Sequence, residues 1–167
     1  GERVLIGDTD HYSIARFSWE HGLELIIRKR DLPLPLTRED RSAGKTEALN
    51  SPIFRAPLPP SVSETLRRGV DRIPFPSDHP SFTKLLCDSE GLLWVALPAH
   101  SDSEVVAWDV FDQLGALHAS VQLPADLEVL HIGPDHVLGV RRNELDVEFA
   151  ELYRLDRNRT GEGPDQR

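Results

Sequence analysis

The chain has 167 residues, a net charge of −9 and an apolar fraction of 39%, enough for one ordinary domain with a real core. That negative balance argues against nucleic acid or an anionic membrane as partner, because both select clustered Lys and Arg, and Arg28-Lys29-Arg30 and Arg67-Arg68 are only short solvated runs. No stretch nears the roughly 20 apolar residues of a membrane span, thirteen Pro and eleven Gly oppose a helical bundle, and a single Cys excludes an internal disulfide.

Gly1 leads directly into the strand-like Arg3–Ile6, which sets the expectation that the natural N-terminus lies upstream and that the absence of a signal peptide is uninformative. Further strands are expected over Tyr12–Phe17 and Leu23–Arg28. The turn Trp19-Glu20-His21-Gly22 ends in Gly and puts Trp19 where later turns carry Asp.

Residues 31–79 read as a helical insertion. The pattern predicts helices over 38–49 and 61–72, separated by Pro52, Pro57, Pro59 and Pro60. Thr37-Arg38-Glu39-Asp40 resembles a capping box, and Ser61-Val62-Ser63-Glu64 matches that motif better. Ser42-Ala43-Gly44-Lys45-Thr46 ends like a phosphate-binding loop. However, Glu39 stands where the loop needs its first Gly, and no strand precedes it. Nucleotide binding is rejected, and Lys45 is expected to be a solvated helix charge.

Residues 80–123 read as one full four-stranded unit, with strands near Phe82–Cys87, Leu92–Leu97, Val105–Phe111 and Ala116–Leu123. Two hairpins turn on Asp88-x-x-Gly91 and Asp112-x-x-Gly115. Asp accepts hydrogen bonds from the turn backbone, and Gly takes positive φ without a Cβ clash. Asp88, Gly91, Asp112 and Gly115 are therefore assigned as structural turn residues. Cys87 is expected to be a buried, inert thiol. Residues 126–156 supply three more strands, Leu127–Ile132, His136–Arg141 and Glu148–Leu155, and the charged tail 157–167 is expected to be disordered.

The search for chemistry is mostly negative. None of the seven His forms a close metal-binding pattern such as His-x-His. His131, between Leu130 and Ile132, is expected to be packed or channel-facing, and it is kept as a candidate contact residue. Glu144, Asp146 and Glu148 alternate, which predicts one solvated face; cation binding is the alternative, with Asn50 and Asn143 the only nearby amides. No Gly-x-Ser-x-Gly elbow occurs. Trp94 and Trp108 read as core, and Trp19 is the aromatic candidate for a contact surface. No catalytic residue, metal ligand or cofactor is assigned.

The ordered motifs Leu85-x-x-Asp88-x-x-Gly91-x-Leu93-Trp94-Val95, Trp108-x-Val110-Phe111-Asp112-x-x-Gly115, Val121-x-Leu123-Pro124 and Ile132-Gly133-x-Asp135-x-Val137-Leu138-Gly139-Val140 carry a resemblance. The chain resembles the C-terminal part of bacterial six-bladed β-propeller proteins of the NHL-like type. The spacing from Gly91 to Gly133 falls within the roughly 40–50-residue period of propeller blades. The resemblance implies an all-β fold of consecutive four-stranded antiparallel blades, an incomplete propeller with a helical insertion. It implies a non-catalytic binding or scaffold function for an unspecified protein or small molecule. The missing N-terminal blades would be a partner, and the location would be periplasmic, secreted or lipid-anchored. The alternative it leaves open is a metal-dependent hydrolase or lyase of the lactonase-like type, with a divalent cation such as Ca²⁺ in the central channel.

Overall fold

The computed structural model describes residues 3–30 and 32–157. The protein is mostly β, with three small antiparallel sheets and a helical segment. Where the sequence reads as one run of blades, the chain divides into two compact units. One is Gly1–Thr83 with Leu97–Ser103, the other Lys84–Ala96 with Glu104–Arg167.

The first unit opens with β1 (Arg3–Asp8), β2 (Ser13–Ser18) and β3 (Gly22–Arg28), a meander in which β2 is central. β1 meets β2 from Arg3↔Ser18 to Asp8↔Ser13. Between β2 and β3, Arg16 faces Leu25 while Phe17 faces Leu23, so Glu24 is the extra residue of a bulge. Glu24 uses that displacement to pair with Arg16 at 3.2 Å and Arg3 at 3.3 Å. One face of the sheet buries Ile14 and Ile27, and Tyr12 packs edge-on against Phe82 at 5.7 Å.

Beyond β3 an extended ribbon returns on itself. Leu36 N–H donates to Ser77 O at 2.9 Å and His79 N–H to Leu34 O at 2.8 Å, flanking the bridge Pro35↔Asp78. The ribbon encloses α1 (Arg38–Leu49), α2 (Pro52–Arg55) and α3 (Pro60–Asp71). Thr37 caps α1 in a full capping box with Asp40. The box expected at Ser61 does not form, because Pro59-Pro60 starts α3 earlier. Proline at the first helical position has no N–H to satisfy and a φ already suited to the helix, so Ser61 falls inside the first turn. Gly44 and Lys45 lie within α1, where a Cβ on Gly44 would sit 3.2 Å from the Phe75 ring. Lys45 Nζ reaches Asp71 O at 3.4 Å, tying α1 to α3.

The second unit has two sheets, β4 (Lys84–Cys87), β5 (Leu93–Ala96), β6 (Val105–Phe111), β7 (Leu117–Pro124), and β8 (Glu128–Ile132), β9 (His136–Arg142), β10 (Glu148–Arg154). Each is a meander in chain order. They share one core, with Trp94, Trp108, Val110 and Leu123 from the first sheet against Leu127, Val129, Ile132 and Val137. The two indoles meet edge-to-face at 6.5 Å, the arrangement that ring quadrupoles favour. Cys87, expected to be buried, is exposed because it ends β4, an edge strand paired with β5 alone.

One turn geometry recurs three times in this unit. Asp88 Oδ1 accepts from Glu90 N–H at 2.9 Å and Leu92 N–H at 2.8 Å. Asp112 Oδ1 does the same for Leu114 at 2.9 Å and Ala116 at 2.8 Å. Gly91 and Gly115 follow at the same φ of 81°. The third copy joins β9 to β10. Asn143 Oδ1 accepts from Leu145 N–H at 2.9 Å and Val147 N–H at 3.0 Å, and Asp146 takes the glycine position at φ 60°. Glu144 and Asp146 are thus turn residues, and β10 begins only at Glu148, which corrects the single alternating face expected from their spacing. In the β2–β3 turn the accepting side chain is Ser18, bonded by His21 N–H at 3.1 Å. Trp19, three residues before the left-handed Gly22, offers no such acceptor and stands 81% exposed.

The shared geometry fixes the sign of two substitutions. Gly91→Ala places a Cβ in the left-handed region and is expected to lower stability by about 1–2 kcal/mol. Asp146→Gly relieves the same conformation and is expected to raise stability by about 0.5 kcal/mol, because its exposed pair with Arg142 contributes little. Urea unfolding of the two variants beside the parent chain checks both signs.

Candidate functional site

Among the described residues, one group of His and carboxylate side chains is close enough to hold a metal ion: Asp40, His79 and His100, with ligand atoms all within 4.8 Å of one another. All three belong to the first unit. Asp40 sits at the third position of α1, and the capping box fixes it there. Its Oδ2 accepts from Thr37 N–H at 2.9 Å and Thr37 Oγ1 at 2.8 Å. Its Oδ1 accepts from Ser101 N–H at 2.7 Å. His79 ends the ribbon pairing with residues 34–36 and brings Nε2 to 3.1 Å from Oδ2. His100 comes from the segment between β5 and β6 and brings Nδ1 to 2.9 Å from the same oxygen. The two imidazoles meet edge-on at 5.6 Å.

The electrostatics follow from this enclosure. The Asp40 side chain is only 3% exposed. The hydrogen bond from His100, with those from Ser101 N–H and Thr37, outweighs burial and holds the carboxyl far below the usual carboxylate range. Asp40 is a fixed anion. The N-terminal end of α1, where unpaired N–H groups gather, adds to that preference. Asp40 and His79 open onto a cleft of ≈ 940 Å³, whose other walls include Glu39, Glu47, Asn50 and Ser101. The arrangement offers two imidazole nitrogens and one carboxylate oxygen beside open space, a donor set suited to borderline divalent ions.

None of the contact or turn residues assigned in the sequence belongs to this group, and Asp40 is read there only as part of a capping box. Trp19 lies exposed on the β2–β3 turn. His131 is exposed on β8, where a bulge between Val129 and His131 breaks the alternation, and its ring lies 5.9 Å from that of His136. Asp112, Gly91 and Gly115 serve their own turns. Asp88 does more than turn the chain. Its buried Oδ2 accepts from the Trp94 indole N–H at 3.0 Å and from Arg157 Nη2 at 2.8 Å. Arg157 also donates to Gly133 O and Pro134 O, at 2.9 and 2.8 Å. Arg157 begins the segment expected to be disordered; residues 158–167 of that segment lie outside the described residues.

No protein-family model, curated protein or solved structure matches the chain.

The Asp88 contacts set a pH dependence. Burial would raise its carboxyl, but the hydrogen bonds from Trp94, Arg157 and Leu92 N–H prevail and hold it below the ordinary value. A carboxyl depressed by folding contributes stability that is present above its unfolded value of about 3.9 and is lost as the pH falls through the folded value. Acid unfolding of Asp88→Asn is therefore expected to be shallower below about pH 4 than that of the parent chain. Parallel acid profiles followed by Trp fluorescence would count against this role for Asp88.

Proposed function

We propose that the chain is a non-catalytic binding or scaffold module of the β-propeller type, whose contact surface is the open face of the β1–β3 sheet. The observation that carries this reading is two cross-strand rows of apolar side chains, exposed on β1 and β3 and half-buried on β2. Val4, Phe17 and Leu23 form one cross-strand row, and Ile6, Ala15 and Ile26 the next. Val4, Ile6, Leu23 and Ile26 are 46, 57, 51 and 42% exposed, and Trp19 at the sheet end is 81% exposed. Contiguous apolar surface of this kind marks contact sites, whereas isolated exposed Leu or Ile does not. Among the described residues β1 pairs with β2 alone, which makes it an edge strand of the kind that can accept another strand.

The propeller reading is supported by three sheets that each follow chain order and by a turn used three times in the second unit. On this reading the face receives protein: either further blades of the same polypeptide, consistent with the expected extracytoplasmic location, or a separate chain. A hydrolase or lyase is the second reading, and the open cleft beside Asp40 is what favours it. Turnover of a lactone or ester probe, lost in His100→Gln, would give that reading precedence.

The contact face predicts self-association of the isolated chain. Sedimentation velocity is expected to show concentration-dependent oligomers, and Ile6→Lys with Ile26→Lys is expected to shift them to monomer with retained circular dichroism. A monomer at all concentrations that does not bind a hydrophobic dye would remove the basis for this surface.

A further inference from the structure

The crowding at a single oxygen of Asp40 carries a separate conclusion, independent of the contact face. Thr37 N, Thr37 Oγ1, His79 Nε2 and His100 Nδ1 all lie within hydrogen-bond distance of Oδ2. A carboxylate oxygen has two lone-pair directions. Four groups crowd it beyond good geometry, and one ion held by both imidazoles would replace two of those contacts with one. The two from Thr37 are fixed by the helix cap, since Thr37 also caps α1 through Oγ1. The two imidazoles arrive at this oxygen from separate segments, and His79 lines the cleft beside Asp40.

We propose that Asp40, His79 and His100 bind a divalent transition-metal ion of the zinc class, with the cleft supplying a position for water or an exogenous ligand. In that arrangement neither imidazole needs to donate to Oδ2. Each turns a lone pair toward the ion, His79 through Nε2 and His100 through Nδ1. Oδ2 supplies the third bond, at metal distances of about 2.0–2.2 Å. The remaining contacts become the supporting layer that such sites require. Ser101 N–H holds Oδ1 at 2.7 Å, and Thr37 holds Oδ2. His79 is braced by its own backbone bond to Leu34 O at 2.8 Å, and His100 O accepts from Ser103 N–H at 3.0 Å. Two nitrogen donors to one oxygen favour zinc-class ions over Ca²⁺ and Mg²⁺, which select all-oxygen shells.

The test is a titration of the chelator-stripped full chain with Zn²⁺, in competition with a chromogenic chelator. One Zn²⁺ per chain is expected, and Co²⁺ in its place is expected to give visible absorption from a nitrogen- and oxygen-bound centre. His79→Gln and His100→Gln are each expected to weaken binding by more than about tenfold, whereas His118→Gln, on exposed β7, is expected to leave it unchanged. His100 is 37% exposed, so its variant is expected to fold; circular dichroism checks this, and it decides the matter if His79→Gln does not fold. Absence of stoichiometric Zn²⁺ binding to the parent chain overturns the proposal. So does binding that survives His100→Gln undiminished.

Discussion

A carboxylate removed from water must be surrounded by donors, and in each unit one such carboxylate gathers distant parts of the chain. Asp88 binds its own turn, the Trp94 indole and Arg157. Asp40 binds the start of α1, the ribbon at His79 and the loop at His100–Ser101. Losing one donor leaves a buried charge short of partners, which costs more than the bond itself contributes. Each anion therefore fixes several segments at once. The two differ in what surrounds them. Asp88 is met by an arginine that neutralises it and by an indole that can only donate, so its site is closed. Asp40 is met by two imidazoles, which can equally offer lone pairs, and it borders open space. Only the second has chemistry in reserve.

The strands and hairpins were legible because their signals are local. Period-two apolar runs and Asp-x-x-Gly turns occupy a few consecutive residues, and β6 begins and ends where the pattern puts it. The helix over 38–49 was legible for the same reason, through Thr37 and Asp40. Errors arose where two local signals competed. At Asn143–Asp146 the alternation of acids suggested a strand face, but an Asn acceptor and a left-handed Asp make the same turn as Asp and Gly. Those residue types tolerate positive φ through their short polar side chains. At Pro59-Pro60 the proline start outranked the Ser61 box. At His131 the bulge in β8 altered the register, which no alternation in sequence reveals.

The Asp40 group was not legible because nothing local announces it. Asp40 is separated from His79 by 39 positions and from His100 by 60. The three occupy a helix cap, a ribbon end and a loop, so no fixed spacing joins them. A residue that looks like an ordinary capping acid becomes a site only when tertiary structure delivers two imidazoles to it. The cap was readable, and its second use was not. Arg157 was missed for a related reason. A charged tail reads as solvated, whereas Asp88 and the carbonyls of Gly133 and Pro134 together hold its first residue.

The first and last strands show how differently exposed edges are protected. β10 carries Glu148, Glu151 and Arg154, and next to it Arg141 pairs with Asp126 and Glu151 while Arg142 pairs with Asp146 and Glu148. Charges along an edge discourage strand addition, since burying them would strip their water. β1 has charged residues only at its ends, Arg3 and Asp8, with Val4, Leu5, Ile6 and Gly7 between them. On the other side of β2, the bulged strand β3 spends Glu24 on Arg3 and Arg16 and leaves Leu23 and Ile26 to solvent. β10 also leaves Phe149 and Leu152 50 and 68% exposed, so it is the charge pattern and not the apolar area that distinguishes the two strands, and that difference supports the proposed contact at the β1–β3 face.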